Sequence, residues 1–142
     1  MTSVGFSAGP QYGLDERRKQ RSSDTLVALS RLLESARVRN DLPALAVADP
    51  SGLLVAGAGA FHACEELAAF APLLLSPPAN DVVPTRLDVL SRRSEVWRIS
   101  VDGVEVLLCG QGGERSGRQR ALEDVAQGCQ RILGTRRPRS AG

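Results

Sequence analysis

The sequence has little of what several classes of protein require. Only 4% of its 142 residues are aromatic, and it contains one histidine and three cysteines. The cysteines lie far apart and form no Cys-x-x-Cys pair, so their spacing predicts neither a zinc site nor a disulfide framework. Each falls on an apolar stripe, which predicts that it packs as a small hydrophobic residue. These three residues are Cys64, Cys109 and Cys129.

Long hydrophobic runs are also missing. The longest apolar stretch is residues 67–75, well short of the roughly 18 residues that suggest a membrane-spanning helix. The first residues lack the basic start and apolar core of a secretory signal. We therefore expect a cytoplasmic protein with no membrane span.

Charge is nearly balanced, with a net charge of +2, but the basic residues cluster at both ends of the chain. Solvated tails are the ordinary interpretation of such clusters. Contact with nucleic acid, an anionic membrane or an acidic partner is the alternative. Lys19 is the only lysine, and this skew towards arginine indicates a GC-rich bacterial genome, so nucleic-acid binding is not expected. The clusters are Arg17, Arg18, Lys19 and Arg21, then Arg136, Arg137 and Arg139.

The chain divides into three parts. Residues 1–22 show no sustained periodicity and are predicted to form a disordered N-terminal tail, 23–134 a folded α/β domain, and 135–142 a basic C-terminal tail. Apolar residues at helical spacing predict a helix over 24–40, capped by Ser22, Ser23 or Asp24. Apolar runs at 44–48 and 53–57, joined by Asp49-Pro50-Ser51-Gly52, predict a hairpin.

The second half begins with a predicted helix over 62–74, which Pro72 interrupts. Alternation then predicts strands at 86–91, 96–101 and 104–109, the last two joined by an Asp-Gly turn. An amphipathic helix is predicted over 115–134. The order predicts five mostly antiparallel strands sandwiched by helices.

This order resembles the Roadblock/LC7 family over roughly residues 24–134. The similar segments are the hairpin 46–56 (AVADPSGLLVA), the alanine-rich helix 66–73 (ELAAFAPL) and the turn 101–104 (VDGV). Profilin-like, longin-like and GAF-like domains share part of the order.

The resemblance implies a homodimer in which central helices pair and third strands meet edge to edge. Members of the family serve as non-catalytic platforms, and in bacteria they typically regulate Ras-like small GTPases. The implied partners are a second copy, a paralogous Roadblock protein or a small GTPase, with no cofactor. The residues expected at the dimer interface are Glu65, Ala68, Ala69, Pro72, Leu87, Val89 and Ser91.

No catalytic or metal site is predicted. His62 has no nucleophile motif beside it, and Cys64, two residues along a helix, points elsewhere. Gly110-Gln111-Gly112-Gly113 precedes a helix but lacks the Lys-Ser/Thr of a P-loop, so a bound phosphate is the minority interpretation. A GAF-like ligand sensor lined by Phe61, Phe70 and Trp97 is the alternative function. Trp97 itself is expected to pack on the sheet.

Overall fold

The structure, a computed structural model, describes residues 10–76 and 85–134, with side chains described from Ser23 onward. Four helices and four strands occupy these residues. In chain order they are α1 (Pro10–Arg39), β1 (Ala44–Ala48), β2 (Leu54–Gly59), α2 (Phe61–Leu75), α3 (Thr85–Arg93), β3 (Ser94–Val101), β4 (Val104–Gln111) and α4 (Arg115–Gly134).

The strands form one antiparallel sheet in the order β2-β1-β4-β3. β1 lies between β2 and β4, and Val47 pairs with Ala56 on one side and with Leu108 on the other. All five residues of β1 are buried. A strand buried on both faces needs cover from both sides, so the fold has three layers.

The two faces of β1 carry side chains of different size. Leu45 and Val47 face α1 and α4, whose buried residues include Leu33 and Leu122. The opposite face presents only alanines from β1, and α2 covers it with Cys64, Leu67, Ala68 and Ala71. The small side chains of that face let α2 approach the sheet closely.

Both predicted turns are present. In the first, the Asp49 carboxylate accepts hydrogen bonds from the Ser51 amide (2.9 Å), the Ser51 hydroxyl (2.6 Å) and the Leu53 amide (3.0 Å). These bonds favour the charged form and lower the pKa of Asp49. In the second, Asp102 (φ 54°) and Gly103 (φ 82°) both have positive φ, as a type I′ hairpin requires.

The predicted start of the first helix is wrong. α1 begins at Pro10, so Ser22, Ser23 and Asp24 lie inside the helix and do not cap it. Residues 14–21 are mostly Leu, Glu, Arg, Lys and Gln, which have high helix propensity. A polar helical extension needs no apolar stripe, and for that reason the search for periodicity missed it. Residues 1–9 and 135–142 lie outside the described residues.

The predicted strand at 86–91 is also wrong, because these residues belong to α3. Leu87 and Leu90, three residues apart, are both buried, while Val89 is exposed. Asp88 and Arg92 form an i,i+4 ion pair at 3.1 Å. The described sheet therefore has four strands, not five, and the observed order is α-β-β-α-α-β-β-α.

Pro72 lies within α2 without ending it. Proline has no N–H, so the Ala68 carbonyl receives no i+4 hydrogen bond. The Gly52 turn packs over this position, where a Cβ on Gly52 would lie 3.3 Å from the Ala68 oxygen. The proline-rich segment 77–84 lies outside the described residues.

The close approach of the Gly59 backbone to Pro43 can be tested by substitution. Its φ is +102°, and a Cβ there would overlap the Pro43 carbonyl oxygen, whereas a Cβ at Gly103 would meet nothing within 4 Å. We expect Gly59→Ala to lower the free energy of unfolding by about 2 kcal/mol or more, and Gly103→Ala by only about 1 kcal/mol. Urea denaturation of both variants measures the difference, and equal losses would contradict the close approach of Gly59 to Pro43.

Candidate protein-interaction surface

One face of α2 points away from the sheet. Phe61, Glu65, Ala69 and Leu73 recur at a spacing of four residues, and all four are exposed. We call these four residues the α2 row. Phe61 is 64% exposed and Leu73 is 40% exposed, although both are large apolar side chains. A row of this kind marks a candidate interaction surface.

The β1–β2 hairpin extends this apolar surface. Leu53 (67% exposed) and Val55 (38% exposed) line a groove with Phe61 between β2 and the start of α2. The groove has a volume of about 460 Å³. Glu65 lies along it and is its acidic lining residue.

An ion pair joins α2 to α3 beside this surface. Arg86 donates two hydrogen bonds to the two carboxylate oxygens of Glu66. The guanidinium lowers the pKa of Glu66, and the carboxylate raises the pKa of Arg86. Both side chains are substantially exposed, so the pair orients α3 on α2 and adds little to stability.

The sheet ends in two edge strands, β2 and β3. In the described chain, each has one neighbouring strand only, so its outer side presents backbone N–H and C=O groups without a strand partner. Such an edge can pair with a strand of another chain. β3 spans eight residues and is the longer of the two edges.

The residues predicted at the dimer interface do not all reach the surface. Glu65 and Ala69 are exposed on the α2 row, Pro72 is half-buried, and Ala68 is buried against the sheet. The other three lie on α3 instead of a strand: Leu87 is buried, and Val89 and Ser91 are exposed.

Sequence reasoning missed Phe61 and Leu73. Both lie four residues from a predicted interface residue, Glu65 and Ala69 respectively. Continuing that spacing along the helix would have found them.

His62 and Cys64 lie on different sides of α2, with His62 exposed and Cys64 buried. The Cys64 thiol donates to the Ala58 carbonyl oxygen at 3.2 Å. Among residues 10–76 and 85–134, no three His, Cys, Asp or Glu side chains cluster as a metal site would require.

The glycine corner, residues 110–113 before α4, has hydrogen bonds that differ from those of a phosphate-binding loop. The Gly112 amide donates to the Arg93 carbonyl oxygen at 2.7 Å. The carbonyl oxygens of Gly112 and Gly113 accept hydrogen bonds from Nη1 of Arg118, at 3.0 and 3.3 Å. The corner therefore orients an arginine side chain.

Phe61 and Trp97 lie on opposite faces of the sheet. Phe61 lies on the α2 side of the sheet, in the exposed groove. Trp97 packs, half-buried, against the core between the sheet and α1 and α4. Trp97 is thus a packing residue, and the arrangement offers no support for the GAF-like sensor.

Helices cover both faces of this antiparallel sheet, and the two predicted hairpins are in place. The structure is similar to that of Myxococcus xanthus MglB, a Roadblock/LC7-type GTPase regulator, with a TM-score of 0.53. The likeness covers 81% of this chain and 94% of that chain, at 9% sequence identity. It confirms the resemblance inferred from the sequence at the level of fold.

No family model matches the sequence, and no curated protein matches it. Within the described residues, none of the helices combines the length and the apolar character needed to cross a bilayer.

The cysteine thiols give a test of the core. Burial raises the pKa of Cys109 to about 12 and that of Cys129 to about 11, and it also raises the pKa of Cys64. Thiolate is the reactive form, so the native protein at pH 7–8 should react with a disulfide reagent at least about 100-fold more slowly than the unfolded chain. Rapid labelling of any thiol in the native protein would contradict this packing.

Proposed function

We propose that this chain is a non-catalytic, dimeric platform that regulates a Ras-like small GTPase. The structural similarity to MglB, a small-GTPase regulator, supports a regulatory role. The observation that carries the proposal is the exposed α2 row, because a helix row with two large apolar side chains in water favours contact with another protein.

A second copy is the partner that suits the α2 row best. In an isologous pair the same row meets itself, so the apolar residues of each copy are covered by the row of the other copy. Ala69 lies within the row, between Glu65 and Leu73, and its small side chain permits close approach of two helices. Phe61 and Leu73 then supply large apolar side chains on either side of it.

Strand pairing can extend this contact, but through a different strand from the one first expected. Residues 86–91 are helical, so the edge available for pairing is β3, Ser94–Val101. Two β3 edges paired across a two-fold axis would satisfy the outer backbone groups of both copies.

Substitution within the α2 row tests the dimer. Ala69→Arg places a long charged side chain where close approach is required, so we expect dimer dissociation to increase at least about tenfold. Val38→Arg is the matched control, because Val38 is an exposed apolar residue (63%) on α1, on the other side of the sheet. The measurement is light scattering across a dilution series at two salt concentrations.

A parent protein that is monomeric at every concentration would overturn the dimer. If Ala69→Arg and Val38→Arg dissociate to the same extent, the dimer interface does not lie on the α2 row. Circular dichroism of Ala69→Arg should match that of the parent, because Ala69 is already exposed.

The regulatory role is tested separately. We expect the parent protein to bind a Ras-like GTPase from the same organism with at least about fivefold preference for one nucleotide state, since a regulator must discriminate between states. GTPase loaded with GDP or with a non-hydrolysable GTP analogue is titrated with the parent protein. Equal binding of both nucleotide states would argue against regulation.

A further inference from the structure

A second cavity lies where α3, β3 and α4 meet, away from the α2 row. It has a volume of about 410 Å³, within the range of small-ligand sites. Three arginines from two helices line it, Arg92, Arg115 and Arg118, together with Ser91 and Ser94. We call it the Arg118 cavity.

Two of the residues that line this cavity each have a buried polar atom without a partner. In the described part of the chain, the buried side-chain nitrogen and oxygen atoms that lack a hydrogen bond are Nε of Arg118 and Oγ of Ser94. Both residues line the Arg118 cavity. Buried polar groups are nearly always hydrogen-bonded, so two such groups on residues that line one cavity indicate a missing partner.

The charge of Arg118 is also uncompensated. Its side chain is buried, with 8% of the residue exposed, and its known partners are the carbonyl oxygens of Gly112 and Gly113. Among the described residues, neither Arg118 nor Arg115 takes part in an ion pair. A buried guanidinium without an anion is costly, and a bound anion would remove that cost.

The opposing charges near the cavity are few. Asp88 pairs with Arg92 at 3.1 Å, so Arg92 is largely neutralised. Glu95 lines the cavity and cancels one further positive charge. The charged residues that line the cavity, Arg92, Arg115 and Arg118 against Glu95, therefore carry a net positive charge. Arg115 is also the first residue of α4, so the positive end of that helix lies at the cavity.

We infer that the Arg118 cavity binds a phosphate group, either as inorganic phosphate or as the monoester of a small molecule. Nε of Arg118 and the Ser94 hydroxyl donate to its oxygens from the buried side, and Arg115 donates from the exposed side. Several donors converging from different directions suit a tetrahedral oxyanion, and guanidinium groups bind phosphate especially well. No aromatic side chain lines the cavity to stack a base, so a nucleotide is not the expected ligand.

This site is distinct from the phosphate corner suggested by the glycines at 110–113. There the expected donors were backbone amides, whereas the glycine carbonyls instead hold Arg118 in place. The same corner thus contributes indirectly, by orienting the side chain that faces the cavity.

Ser94→Ala is the most informative variant. In phosphate-free buffer its thermal midpoint should equal or exceed that of the parent, because a buried hydroxyl without a partner is removed. Its phosphate affinity should nevertheless fall about tenfold. Arg115→Gln, at an exposed position, should also weaken binding about tenfold, and Arg131→Gln, an exposed arginine of the same helix outside the cavity, should change it less than about twofold.

The measurement is isothermal titration of the full chain, at constant ionic strength, with inorganic phosphate and separately with glycerol 3-phosphate. We expect saturable one-to-one binding of at least one of them with a dissociation constant of about 1 mM or tighter. Tighter binding of one over the other identifies the source of the phosphate group.

Three results would overturn the inference. The first is no saturable binding of either compound up to about 10 mM. The second is equal binding by Ser94→Ala, Arg115→Gln and the parent. The third is a clearly lower thermal midpoint for Ser94→Ala in phosphate-free buffer, which would show that water already satisfies the hydroxyl.

Discussion

Burial of β1 on both faces is the constraint on which the rest of the structure depends. Each of its residues, Ala44–Ala48, is at most 1% exposed. Its backbone groups are paired by β2 and β4, so only helices can supply the remaining cover. Alanines on one face bring α2 close, and at Gly57 a Cβ would lie only 2.9 Å from the sulfur of Cys64. This tight fit determines which side of α2 is left exposed.

The interaction surface follows from that packing. Since Cys64, Leu67 and Ala71 are committed to the sheet, the row that begins at Phe61 must point outward. Its apolar residues contribute nothing to the core of the monomer, and they raise the solvent-exposed apolar area. An evident reason to keep such residues on a surface is a partner that covers them, as the proposed dimer does.

Some helices and strands could be predicted accurately from the sequence and others could not, for a physical reason. β1, β2, β4 and α4 were located to within two residues, because each has many apolar positions with a consistent period and a clear turn beside it. The segment at 86–91 had only Leu87 and Val89 to suggest alternation, whereas Leu87 and Leu90 suit a helix equally well. The start of α1 lacked any apolar pattern. Of the candidate surface, Glu65 and Ala69 were found, and Phe61 was not.

The sequence by itself determined the two hairpins and the amphipathic last helix, because turn chemistry and periodicity act between neighbouring residues. Only the tertiary structure decided that α3 is a helix, that α2 exposes the row from Phe61 to Leu73, and that Arg118 and Ser94 share one cavity. Arg118 and Ser94 are 24 positions apart in the chain, and no local pattern relates them. Arg118 and Ser94 line the same cavity only because of the way in which β3, β4 and α4 pack. This packing buries Nε of Arg118 and Oγ of Ser94 without giving either atom a hydrogen-bond partner.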